Sequence, residues 1–125
     1  MISAIIICDH VYRDKATNKC VLSGTFSSIL SKAFPTRHGN MGIYVSITDV
    51  PEKGRVRAII KHHDDEKKLI ELPSWEIQNL PERSTTLELC GNISGIVFEK
   101  EGGHDISIYW NDQFLCSRQI NLVKF

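Results

Sequence analysis

The sequence predicts an all-β domain, a two-sheet antiparallel β-sandwich of about eight strands, and three observations carry that prediction. Short runs rich in Ile, Val, Leu, Thr and Tyr alternate apolar and polar residues with a period of two. Turn residues separate these runs about every eight to twelve positions. No segment sustains the apolar spacing of an amphipathic helix over three turns. The 125 residues fit a single domain, 1–125. At that length about two-thirds of the unfolded chain's surface is buried on folding, so a core needs neither disulfides nor metal.

Each element follows from its residues. Ser3 to Tyr12 carries Ile5, Ile6 and Ile7 in a row, the pattern of a strand covered on both faces. The polar stretch from Arg13 to Lys19 reads as a hairpin loop. Cys20 to Ile29 is the returning strand, and Gly24 inside it marks a bulge or a close backbone approach. Leu30 to Met41 is expected to be a long connection, with Pro35 stopping the ladder. Gly42 to Thr48 alternates cleanly, Ile43, Val45 and Ile47 on one face and Tyr44, Ser46 and Thr48 on the other. After a turn at Pro51 to Gly54, Arg55 to His63 alternates again. There Val56, Ala58 and Ile60 point inward and Arg55, Arg57, Ile59 and Lys61 outward. Asp64 to Lys67 turns the chain, and Lys68 to Leu72 is a short return strand.

Pro73 to Arg83 contains two prolines and reads as a crossing between sheets, anchored by Trp75, Ile77 and Leu80. Ser84 to Cys90 is a strand with Leu87 and Leu89 inward. The glycine-rich piece Gly91 to Gly95 leads to Ile96, Val97 and Phe98. The last hairpin runs from His104 to Trp110, turns at Asn111 and Asp112, and returns from Gln113 to Phe125. Ile106, Ile108 and Trp110 share a face, and a break in alternation near Cys116 to Gln119 points to a bulge.

Charge and targeting signals narrow the function. Fifteen Lys and Arg balance fifteen Asp and Glu. The basic excess that phosphate-backbone binding uses is missing, so no nucleic-acid partner is expected. The N-terminus has no positive region, and its apolar run is too short for a signal peptide or a membrane span. A cytoplasmic protein with no membrane association is the expectation. Cys8, Cys20, Cys90 and Cys116 match no zinc spacing and are expected to be free thiols. Whether Cys8 and Cys20 face each other across the first hairpin is left open.

Cys8-Asp9 closing the first apolar run, Gly24 in the second strand and Phe34-Pro35 before the third carry a family likeness. Phe98, Gly103 and the Ile106–Ile108 hairpin add a weaker match. In these features the chain resembles a family of small bacterial proteins known only as a domain of unknown function. Asn18 stands in the hairpin loop where that family commonly has Gly. The resemblance implies a sandwich loosely similar to immunoglobulin-like domains, and it implies no activity.

Three groups of residues invite a chemical reading. In Cys8-Asp9-His10 the middle residue of a strand triplet faces away from the other two, a poor geometry for a nucleophile, base and orienter. Cys8 is better read as core, with Asp9 tying down a loop. His62-His63-Asp64-Asp65-Glu66 holds many metal-ligating side chains, yet adjacent strand histidines diverge, so a solvated hairpin tip is expected and no metal site. His104-Asp105 reads as a strand start after a flexible loop. No catalytic residue and no cofactor are expected, and the protein is read as not an enzyme.

Two surfaces remain. Tyr44, Ile59 and Tyr109 point away from the core faces, and brought together they would make an apolar patch for a protein partner or for self-association. Arg37 and His38 in the long connection, with Trp75, would form a ligand-binding wall at one end of the sandwich. A non-enzymatic protein-interaction module is the first expectation. A small-ligand or carbohydrate-binding domain using those loops is the alternative.

Overall fold

The computed structural model describes residues 1–78 and 86–125, which contain ten strands and no helix. They are β1 (Ser3–Arg13), β2 (Cys20–Thr25), β3 (Ser28–Ser31), β4 (Thr36–Ile47), β5 (Gly54–His62), β6 (Asp65–Glu71), β7 (Trp75–Ile77), β8 (Leu87–Phe98), β9 (Gly102–Trp110) and β10 (Gln113–Lys124). One sheet has the order β2-β1-β4-β8. The other has the order β3-β10-β9-β5-β6, with β7 beside β6 along the same edge of β5. All pairings are antiparallel except β3 with β10. The two-sheet β-sandwich expected from the alternation is the observed class, with ten described strands instead of eight.

The alternating faces named from the sequence meet between the sheets. Ile5, Ile7, Met41, Ile43, Val45 and Ile47 form the inner face of one sheet. Val56, Ala58, Ile60, Ile106, Ile108, Trp110, Ile120 and Leu122 form that of the other. Phe98 is the largest fully buried side chain. Each buried Ile or Phe gains about 1.5–3 kcal/mol over exposure, so this face-to-face burial is the main force holding the sheets together. Trp75 and Ile77 pack on the core as expected, but in the short strand β7 paired with β5 and not in a loop crossing between sheets. The bulge in the last strand falls between Phe114 and Cys116.

Four local expectations are corrected. The run from Cys20 to Ile29 is two strands in different sheets. Phe26 packs against the core and its N–H bonds to the Ile7 carbonyl at 3.2 Å, which turns the chain from β2 into β3. The connection after β3 is only Lys32 to Pro35, and β4 starts at Thr36 beyond the cis Phe34–Pro35 bond. Its polar start, Arg37 to Asn40, is held by backbone pairing to β8, which does not depend on side-chain polarity. Gly91 to Gly95 lies inside β8 for the same reason. The turn after β5 shortens to His63 and Asp64, with Asp65 already in β6. Leu80 and Ser84 lie outside the described residues.

Gly39 and Gly95 flank the same gap in the β4–β8 ladder, between the His38–Ile96 and Asn40–Ser94 pairs. Gly95 takes a left-handed φ of 73°, which a side chain adopts only with strain. Across that gap the inner face shifts from Met41 and Ile93 to Ile96 and Phe98. A second glycine permits a crossing. Past Cys8, β1 passes over Gly42 so closely that a Cβ there would sit 2.8 Å from the Cys8 Sγ and 3.0 Å from the Val11 nitrogen.

Backbone cannot yield as a flexible side chain would, so Gly42→Ala is expected to cost about 1–3 kcal/mol. Gly39→Ala, with nothing within 4 Å of the added methyl, should stay within about 0.5 kcal/mol of the parent. Urea midpoints of the two variants check this, and equal losses would refute close approach as the cause.

Candidate functional site in the inter-sheet crevice

The inner faces of β5 and β9 form successive rungs: Val56 opposite Trp110, Ala58 opposite Ile108, Ile60 opposite Ile106, and then His62 opposite His104. The fourth rung obeys the same two-residue period as the other three, so both imidazoles are carried inward. Among the described residues they are the two buried polar ones, at 7% and 4% exposure. This corrects the expectation of a solvated hairpin tip at His62 alone: His63 and Asp64 in the turn are exposed, and His63 bonds Asp105 at 3.0 Å. The His62 and His104 rings meet edge to face at 4.6 Å, and His104 meets Phe98 likewise at 5.3 Å.

Backbone groups set the hydrogen on each ring. The Asp64 N–H donates to Nδ1 of His62 at 2.9 Å, and Nε2 of His62 donates to the Glu101 carbonyl at 2.8 Å. Both nitrogens of His62 are thus engaged. Nδ1 of His104 faces the Gly102 carbonyl at 3.0 Å. A carbonyl only accepts, so Nδ1 carries the hydrogen and Nε2 keeps its lone pair. That Nε2 has no hydrogen-bonding partner among the described residues.

The two rings line a crevice of about 320 Å³ where the edges β6 and β8 part. Ile60, Leu69, Ile70, Val97 and Phe98 supply apolar walls, and Asp65, Lys67, Glu99 and Lys100 stand around them. Burial lowers the pKa of His104, and the neighbouring His62, His63 and Lys100 push the same way.

The residues singled out from the sequence do not converge. Arg37 and His38 are strand neighbours on β4 and point to opposite sides. Arg37 lies across Gly95. His38 turns to Phe26, ring to ring at 5.7 Å, with its buried Nε2 unpartnered among the described residues. Trp75 packs against Gly91, whose partner Ile43 is five positions along β4 from His38, roughly 17 Å of strand. Ile59 and Tyr109 do share the outer face of the six-stranded sheet, joined by Leu69 and by Phe114, whose ring meets Tyr109 at 5.7 Å. Tyr44 sits instead on the four-stranded sheet, beside Glu88 and Ser46, where burial and then Glu88 raise its pKa.

Cys8 is fully buried, donates to the His10 carbonyl at 3.2 Å and has its pKa raised by burial, so thiolate chemistry is suppressed there. Cys8 pairs with Thr25 and Cys20 with Arg13, so the two thiols do not face each other. Two of the outward basic residues of β5 meet carboxylates: Arg55 pairs with Glu76, and Arg57 with Glu71 at 3.2 Å and Asp112 at 3.4 Å. Among the described residues no three His, Cys, Asp or Glu side chains are grouped to hold a metal ion, and no helix is long and apolar enough to cross a membrane.

Sequence reasoning missed the histidine rung. The signal was present, because Val56-x-Ala58-x-Ile60-x-His62 and His104-x-Ile106-x-Ile108-x-Trp110 each continue one period unbroken.

These features define an all-β sandwich domain with a histidine-floored crevice between its sheets. The chain belongs to the family of unknown function DUF6941, whose model matches residues 3–123. No curated protein matches it.

The lowered pKa of His104 makes stability depend on pH. The unfolded chain takes up the proton first, so the stability tied to the neutral ring is complete above about pH 6.5. It is lost as pH falls from there through the lower folded value. The melting temperature should therefore fall between roughly pH 7 and pH 5, and fall less steeply in His104→Gln. Identical slopes in calorimetry would refute the assignment.

Proposed function

We propose that this domain is a non-enzymatic small-ligand-binding module and that its site is the crevice between β6 and β8. The observation that supports this reading is the Nε2 lone pair of His104, without a partner among the described residues, on a ring that lines the crevice beside apolar side chains. An acceptor in that setting gains most from a ligand donor, because a buried polar atom left without a partner is costly. The volume falls at the lower end of the range for small-molecule pockets. Among the described side chains around the mouth, two acidic and two basic residues balance, which favours an uncharged ligand. The occupant we infer is a small amphipathic molecule with one hydroxyl or N–H donor and an apolar body against Phe98, Ile60 and Leu69. A cytoplasmic setting belongs to the same reading.

A screen of phenols, aliphatic alcohols and aromatic amides against nitrogen-15-labelled protein tests it. Binders should shift the His104 ring nitrogens together with Phe98. His104→Phe should weaken them roughly tenfold, the worth of one good hydrogen bond. Absence of any binder at millimolar concentration, or shifts confined to other surfaces, would overturn the proposal.

A second reading rests on the outer face of the six-stranded sheet, where Leu69 and Phe114 are more than half exposed beside Ile59 and Tyr109. Self-association through this patch is the expectation. Sedimentation should show a mass that rises with concentration in the parent and stays monomeric in Phe114→Lys. A parent that is monomeric throughout removes this reading.

A further inference from the structure

We propose that Cys20 and Cys90 are a redox modification site: they join in a reversible disulfide that fastens the β1–β2 hairpin across the outer face of the four-stranded sheet. The two thiols are near enough to influence each other's ionisation, although β2 and β8 stand at opposite ends of the order β2-β1-β4-β8. The bend of β1 over Gly42 brings them together. Beyond it, the Asn92 side chain on β8 accepts from the Val11 N–H at 3.1 Å and donates to the Val11 carbonyl at 2.7 Å, as a paired strand would. Two residues on, Nη2 of Arg13 donates to the Glu88 carbonyl at 2.8 Å. Cys20 pairs with Arg13, and Cys90 pairs with Tyr44. Cys20 and Tyr44 also interact electrostatically, so all of these groups share one small area.

The other two cysteines cannot take part. Cys8 is sealed and bonded to the His10 carbonyl. Cys116 lies on β10 in the other sheet, packed against the core.

The co-reactant is a small-molecule disulfide such as oxidised glutathione. One protein thiolate attacks it, giving a mixed disulfide and releasing one glutathione thiolate. The second protein thiol then loses its proton and displaces the other glutathione. One S–S bond forms in the protein and one breaks in the oxidant, which leaves as two reduced thiols. Burial, and after it the Cys90 neighbour, raises the Cys20 pKa. Thiolate is therefore scarce at neutral pH, and a high-pKa thiol is also a poor leaving group. The bond forms slowly, faster at alkaline pH, and resists reduction once made. That is the behaviour of a durable lock and not of a catalytic redox centre.

Treatment of the folded protein with oxidised glutathione, followed by non-reducing peptide mass spectrometry, tests the proposal. The expected product lacks two hydrogens and links the peptides of Cys20 and Cys90. Because the link closes a long loop, the melting temperature should rise by roughly 10 °C and return on reduction. Cys20→Ser and Cys90→Ser should each abolish both effects, and Cys116→Ser should leave them intact. Mixed disulfides with glutathione as the only products, any other cysteine pairing, or an equal melting shift in Cys20→Ser would overturn it.

Discussion

The twelve-residue pairing of β4 with β8, from Thr36–Phe98 at one end to Ile47–Leu87 at the other, is the constraint on which the rest of the molecule depends. It sets the inner ridge of the four-stranded sheet, where Met41, Ile43, Val45 and Ile47 stand beside Leu87, Leu89 and Ile93. It also sets where each end of β8 lies. One end delivers Phe98 to the floor of the crevice. The other places Cys90 next to Tyr44, beneath the folded-over hairpin. The glycines in the ladder let the pair coil strongly enough to serve both faces, since a regular two-residue alternation would turn Phe98 outward.

The crevice arises where two edges fail to meet. β6 and β8 end their sheets on the same side, and the core ladder of β5 and β9 runs out there in imidazoles instead of aliphatic side chains. A histidine rung suits that position because it has an apolar body for Phe98 and polar atoms for the adjoining turns. The opposite side of the sandwich is closed differently. There Arg118 reaches from β10 to the carbonyls of Ile5 at 3.3 Å and Phe26 at 3.4 Å, bridging the sheets with charge-assisted bonds.

Much of the architecture is legible in the sequence because half-buried strands impose a period of two on side chains. Ile43-x-Val45-x-Ile47, Val56-x-Ala58-x-Ile60 and Ile106-x-Ile108-x-Trp110 show their core faces directly. Gly24 is legible in part: its φ of 72° suits glycine, but the group against it is the Asp9 carboxylate and not another backbone. What escapes is held by backbone alone. Arg37 to Asn40 and Gly91 to Gly95 look like loops because their side chains carry no alternation, while their backbones stay paired on both sides of the gap at Gly39 and Gly95. The sheet switch at Phe26 and the meeting of Cys20 with Cys90 depend on bends whose partners are remote in the chain. The histidine rung lay in plain view, hidden only by the habit of ending an apolar pattern at its last aliphatic residue.

The His62 ring holds two things at once: the amide of Asp64 in the β5–β6 turn and the carbonyl of Glu101 in the β8–β9 turn. A single flat strut therefore spans the two tips that frame the crevice mouth. Neither tip can swing outward without pulling on the other, so opening and closing there is a shared motion of both hairpins. The width of the entrance is accordingly tied to one side chain that also lines the crevice.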